Sequence, residues 1–200
     1  AIPAGEPSGD QAELAALIDA GHPRKKTAAA WARVNVPDVS GDEQIDRQFW
    51  SAAVDAGLTR LMMPASVGGS EDSAVATMLT FEGLGLGTRS LGPVFALVSQ
   101  VIATQRALAR FATPAQQDRW LRPLVHGRAL GAFAMTEPRA GSATASITTV
   151  AEADGDGFRL TGTKAWATLG PECDVLVVFA ATDPDAGRWG QTAFVVDTSA

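Results

Sequence analysis

Apolar positions recur every three or four residues over roughly the first 125 positions and every two residues after that, and this change divides the chain. QAELAALIDA (residues 11–20) carries apolar residues at helical spacing, and Gly21 follows as a stop. EQIDRQFWSAAVDA (43–56) repeats the pattern, with Gly57 placed just past the helix end. LMMPASVGGS (61–70) interrupts it, punctuated by Pro64 and the Gly68-Gly69 pair. Residues 71–86 resume it with Val75, Met78, Leu79 and Glu82 at turn spacing. Over 93–111, Phe95, Val98, Ile102, Leu108 and Phe111 predict a buried helix. In TPAQQDRWLRPLV (113–125), Thr113 fits an N-cap, Pro114 the first helical position and Gln116 the partner of a capping box. Pro123 predicts a stop or kink near the end of that helix.

Beyond residue 130 the period falls to two. GAFAMT, ITTVAEA, FRLTGTKAWAT, DVLVVFAAT and TAFVVDT are strand-like and rich in Val, Thr and Phe. ADGDG (153–157) between two of them is a hairpin turn, with a glycine suited to positive φ. The pattern therefore predicts an α+β chain. An all-α helical domain spans residues 1–128, and an antiparallel β-barrel- or sandwich-like domain spans 129–200, with the switch between Val125 and Ala132. No internal repeat or low-complexity tract interrupts this order. The last strand ends just before Ala200, which leaves few strands to close a barrel, so the β domain reads as incomplete.

Composition narrows the function classes. A hydrophobic content of 46% belongs to a globular chain of 200 residues. The net charge of −6 is spread along the length, so nucleic acid is not an expected partner. The basic cluster Pro23 to Lys26 reads as a solvated helix end or turn. Cys173 is the one cysteine, which excludes an internal disulfide and a cysteine metal cluster, and it reads as a small buried filler. His22 and His126 lie far apart with no neighbouring His or Cys, so no metal site is expected. There is no signal-peptide pattern and no apolar run long enough to span a bilayer. A soluble cytoplasmic protein with no membrane partner is the expectation.

Two stretches remain that composition does not explain. FAMTEPRAGS (133–142) ends an apolar run with Thr136, Glu137 and Pro138, then adds Gly141 and Ser142. LTGTKAWAT (160–168) places Lys164, Trp166 and Thr168 on alternate positions of an expected strand. Singly, each residue is ordinary: Trp166 reads as sheet core, the threonines as strand residues, Glu137-Pro138 as a turn. Jointly, the two stretches resemble signatures of the acyl-CoA dehydrogenase family of flavoproteins, in the right order and in the right element types. FAMTEPRAGS resembles the pattern x-x-TEP-x-AGS-D preceded by an aromatic or small residue, and LTGTKAWAT resembles NG-x-K-x-W-I-T. LMMPASVGG and the run from Thr113 to Pro138 are weaker echoes. The likeness covers roughly residues 45–198.

The resemblance implies FAD as cofactor, and a reaction in which an acyl thioester on CoA or on an acyl carrier protein undergoes α,β-dehydrogenation with hydride transfer to flavin N5. A reduced flavin is negative near N1 and O2, and threonine hydroxyls and strand-end N–H groups are neutral donors suited to such edges. By resemblance, Phe133, Met135 and Thr136 would line the flavin, with Thr136 at the N1/O2 edge. Trp166 would pack on the ring away from substrate, Thr168 would donate toward N5, and Ser142 would reach the pyrophosphate or the substrate thioester arm. An electron-transfer flavoprotein would take the electrons, and the assembly would be a homo- or hetero-tetramer. The family's helical bundle, which carries the catalytic base, is absent from these 200 residues, so no catalytic residue is nominated. Glu137 reads as structural, bonded within its own turn.

The chain departs from the family pattern at Arg139, Ala143, Thr161, Ala167 and Leu169, where the family usually has a small residue, Asp, Asn, Ile and a polar residue. None of these changes removes the hydroxyls of Thr136 or Thr168. An acyl-CoA oxidase, a flavin-dependent monooxygenase of the same fold, or a non-catalytic partner subunit of a hetero-oligomeric dehydrogenase are the alternative readings.

Overall fold

The computed structural model describes Ala15, Asp19, residues 21–38 and residues 45–198. Apart from Ala15 and Asp19, the helix expected over 11–20 lies outside the described residues. The chain forms two compact units, Ala1–Val98 and Ser99–Ala200.

In the first unit the helices are α1 (Pro23–Asn35), α2 (Arg47–Asp55), α3 (Ala74–Gly87) and α4 (Gly92–Ser99). Short 3₁₀ turns at Leu58–Arg60 and Ala65–Val67 fill the interruption around Pro64. Gly57 follows α2 at φ +73°, the left-handed conformation that a glycine adopts at least cost. α1 lies close along α3 because small residues meet: Ala28, Ala29 and Ala32 are buried on α1, and Gly83 and Gly87 face them from α3. A Cβ at Gly83 would sit 2.5 Å from the carbonyl oxygen of Lys25. Gly83→Ala is therefore expected to destabilise by about 1–3 kcal/mol through overpacking, although alanine alone favours a helix by about 1 kcal/mol over glycine. A raised thermal midpoint for this variant would show that the contact is not tight.

The basic cluster at Pro23 is a helix start, as expected, but it is not wholly solvated. Lys25 is only 1% exposed, and its Nζ lies 2.8 Å from Glu82 Oε2 on α3. The lysine stem is buried where α1 meets α3, and only the partner carboxylate lies near water. The burial stripe of residues 93–111 also differs from the expected one. Val94, Leu97, Val101 and Leu108 are buried, whereas Phe95 is 61% and Phe111 80% exposed. Nearly every position in this run is apolar or small, so the period admits two adjacent faces. The π-helical segment Gln100–Gln105 also widens the turn within it.

The second unit opens with that π segment. It continues through α5 (Arg106–Phe111), α6 (Pro114–Gln116), a second π segment (Gln117–Leu121) and α7 (Arg122–Val125). The capping box forms as read: Thr113 Oγ1 accepts from Gln116 N, and Thr113 N donates to Gln116 Oε1 at 2.8 Å. The helix passes Pro123 and ends at Val125, with the wider π turn just before the residue that has no N–H to give.

The strands are β1 (Gly131–Ala134), β2 (Val150–Asp154), β3 (Gly157–Thr161), β4 (Val175–Ala181) and β5 (Gln191–Asp197). β4 is central. It pairs with β5 antiparallel from Val175↔Asp197 to Ala181↔Gln191, and with β1 parallel from Gly131↔Val175 to Ala134↔Val178. β2 joins β4 through the single parallel pair Val150↔Ala181 and forms an antiparallel hairpin with β3 across Gly155 at φ +59°. The sheet is thus mixed, not antiparallel throughout. Side-chain alternation is the same in both kinds of ladder. The direction of β4 is set by the long excursion from residue 135 to 174, which returns the chain to the end where β1 began. The buried Gln100 fixes that end: its Oε1 accepts from Gly131 N at 2.8 Å while its Nε2 donates to Gln105 Oε1 at 3.0 Å.

Candidate functional site

β1 delivers the first signature to the edge of the sheet. After Ala134, Met135 and Thr136 leave the ladder half-buried, and Glu137 begins a tight turn. Glu137 N donates to Ala140 O at 3.0 Å and Ala140 N to Glu137 O at 3.1 Å, so Pro138 and Arg139 sit exposed at the tip. Gly141 and Ser142 follow in an exposed loop whose Thr144 carbonyl accepts from Gln191 Nε2 at 2.7 Å.

The carboxylate of Glu137 does not bond within its turn, as the sequence suggested; it reaches across to two other segments. It accepts from Thr148 N and Thr148 Oγ1, both at 2.7 Å, from Thr149 N at 2.9 Å, from Thr149 Oγ1, and from Lys164 Nζ at 2.9 Å. The turn's own amides are already paired with each other, which leaves the buried side chain free to serve donors 11 to 27 residues away. Burial alone would push this carboxyl up. The Thr149 hydroxyl, the Thr148 amide, Lys164 and the Thr148 hydroxyl together outweigh it and hold the group well below the usual carboxylate range.

The second signature is not a continuous strand. β3 ends at Thr161, and residues 163–167 have no regular structure. Gly162 lies so close to Thr149 that a Cβ there would be 2.7 Å from Thr149 Cα. Gly162 stands opposite Thr149, the next pair in the hairpin register, and the chain leaves the ladder after it. Trp166 has φ +60° and Leu169 φ +65°, so the expected alternation of Lys164, Trp166 and Thr168 on one strand face does not hold. The segment runs beside the end of β1 instead. Ala165 N donates to Thr136 O at 2.9 Å, and Lys164 Nζ to Met135 O at 3.1 Å.

The structure therefore brings Met135 and Thr136 together with Lys164 and Ala165, immediately before Trp166. The Trp166 indole is 90% exposed, and Thr168 is half-buried. Ser142 lies on the exposed loop after the turn. Phe133 lies on the sheet, its ring 5.2 Å from that of Phe179, in an apolar groove shared with Leu108, Phe111, Trp120 and Phe158. Glu137 is structural, as the sequence implied, but its partners Thr148, Thr149 and Lys164 had no assigned role there. Their signal in the sequence was a lysine within a Thr- and Ala-rich stretch and the adjacent threonines of ITTV. Cys173 is buried as expected, its Sγ 3.3 Å from Gly170 O, and burial pushes its thiol up. Among the described residues no group of His, Cys, Asp and Glu could hold a metal ion, and no helix is long and apolar enough to cross a membrane.

The family description "Acyl-CoA dehydrogenase, N-terminal domain" matches residues 24–128, and "Acyl-CoA dehydrogenase, middle domain" matches residues 132–200. An L-prolyl-[peptidyl-carrier protein] dehydrogenase of Serratia sp. is 34% identical over 153 residues, covering 76% of this chain and 40% of the relative. The mitochondrial isovaleryl-CoA dehydrogenase of Pongo abelii is 35% identical over 153 residues, covering 76% of this chain and 36% of its own length. The solved structure of PigA with FAD and proline superposes with a TM-score of 0.78 at 27% identity, over 99% of this chain and 49% of that one. The chain thus spans less than half the length of these two curated relatives.

Proposed function

The chain belongs to the acyl-CoA dehydrogenase family, and from that premise we propose that it forms part of an FAD-dependent dehydrogenase that introduces an α,β double bond into an acyl thioester. The observation that carries this reading is the meeting of Met135–Thr136 with the Lys164–Thr168 segment at the sheet edge. The two signatures converge there, and a bare indole is presented beside them. Those residues fit a flavin: hydroxyls that donate without adding charge, and an aromatic face available for stacking. FAD, when bound, supplies the hydride acceptor.

In this reading residues 1–128 form the helical portion and 129–200 the β portion, which the matches to residues 24–128 and 132–200 support. Thr136 donates to the N1/O2 edge, Thr168 donates toward N5, and Trp166 holds the ring plane. Phe133 and Met135 complete the lining. Ser142, on the exposed loop, reaches the pyrophosphate or the thioester arm. The substrate class is an acyl thioester carried by CoA or by a carrier protein, since relatives named for each are about equally similar. An electron-transfer flavoprotein as acceptor, a tetrameric assembly and a cytoplasmic location belong to the same proposal.

The test is Thr168→Val in the full-length protein, which keeps shape and β-branching and removes the donor. Stopped-flow reduction of bound flavin by acyl-CoA and by carrier-tethered thioesters is expected to lose about 1–3 kcal/mol in the hydride step, while FAD affinity changes less. Flavin reduction at the wild-type rate would remove Thr168 from the N5 edge. Failure of every thioester to bleach the wild-type flavin would overturn the dehydrogenase reading.

A further inference from the structure

Two segments that would face the flavin are held together outside any ladder. β1 ends at Ala134 and β3 at Thr161, so Met135–Thr136 and Lys164–Thr168 belong to no strand pair. They meet through the Ala165 N to Thr136 O bond and through Lys164 Nζ on Met135 O. The ammonium is fixed in turn by Glu137, and Glu137 by Thr148 and Thr149 just ahead of β2. Directly after these contacts the backbone takes φ +60° at Trp166, a conformation that a bulky residue keeps only where its surroundings impose it.

We propose that Lys164 and Glu137 are positioning residues for the flavin: a buried ion pair that ties the Trp166–Thr168 segment to the Met135–Thr136 segment and sets the spacing between them. The inference rests on the flavin reading above. Lysine suits the task, because its three donors can serve a carboxylate and a carbonyl at once. Here they reach Glu137 Oε1 at 2.9 Å and Met135 O at 3.1 Å. The cation and anion lie side by side, so the pair brings little net charge to a ring that turns negative on reduction. It therefore acts on where Thr136, Trp166 and Thr168 sit.

The experiment uses the full-length protein and its Lys164→Met, Lys164→Arg and Lys25→Met variants. Lys25 supplies the control, since its pair with Glu82, buried at the lysine and exposed at the carboxylate, lies in the helical unit. FAD affinity is read by fluorescence titration of apoprotein, the flavin environment by visible circular dichroism, and stability by thermal midpoint. Lys164→Met is expected to weaken FAD by about ten- to a hundredfold and to alter the flavin dichroism. Lys164→Arg, which keeps charge and donors, restores part of both. Lys25→Met lowers the thermal midpoint with affinity and dichroism unchanged. Should Lys164→Met not fold, Lys164→Gln is read in the same way. Wild-type affinity and dichroism in the Lys164 variants, with wild-type protein binding FAD, overturn the positioning role. Wild-type protein that binds no FAD overturns the flavin reading itself, and the positioning role with it.

Discussion

Replacing Glu137 with alanine is expected to cost about 3–5 kcal/mol of folding stability, the range for removing one partner of a buried ion pair. The side chains of Glu137 and Lys164 are only 3% and 12% exposed. Alanine would strand the lysine and would also leave both amides and both hydroxyls of Thr148 and Thr149 without their acceptor. Glu137→Gln keeps one acceptor oxygen and is expected to cost less. Its deficit should also depend on pH. The folded carboxyl is held below its ordinary value of 4.5, so its contribution is fully present above the unfolded value and is lost as pH falls toward the folded one. Urea unfolding in steps from about pH 6 to about pH 3 should therefore show the gap between wild type and Glu137→Gln narrowing on acidification. A gap that stays constant over that range would mean that the ionised carboxylate is not what stabilises the cluster.

Such a cluster could not be read from the sequence, and the reason is its range. What the pattern did reveal is local. The Thr113 box closes within three residues, Gly57 answers to its own φ, and the change of period marks the passage from α7 to β1. The features it missed depend on partners far along the chain. Lys25 points inward because Glu82 waits on α3. β4 runs parallel to β1 because of the route taken by residues 135–174. The segment after β3 leaves the ladder because it bonds to Thr136 and Met135 at the end of β1. The two signatures located the candidate site as segments. The carboxylate that joins them had to be seen in three dimensions, since its partners lie 11 and 27 residues away.

Removing the indole of Trp166 is expected to separate stability from affinity in a way that tests the site directly. The described fold takes little from this side chain: it is 90% exposed, and alanine would occupy the same φ of +60°. Trp166→Ala should therefore shift apoprotein stability by no more than about 0.5 kcal/mol. FAD binding should behave differently. One indole face is about half of the roughly 150–250 Å² that an aromatic side chain buries, and at roughly 25 cal/mol per Å² it contributes about 2–3 kcal/mol. Stacking adds about 0.5–1.5 kcal/mol, so the total loss is about 3–4 kcal/mol, on the order of several hundredfold in Kd. Had Trp166 been sheet core, as strand alternation through LTGTKAWAT would make it, alanine would instead cost about 3–5 kcal/mol of stability. Thermal melts of the apoprotein and FAD titrations of the full-length variant distinguish the two. An unstable protein that still binds FAD with wild-type affinity would return Trp166 to the core and leave the proposed flavin site without its stacking face.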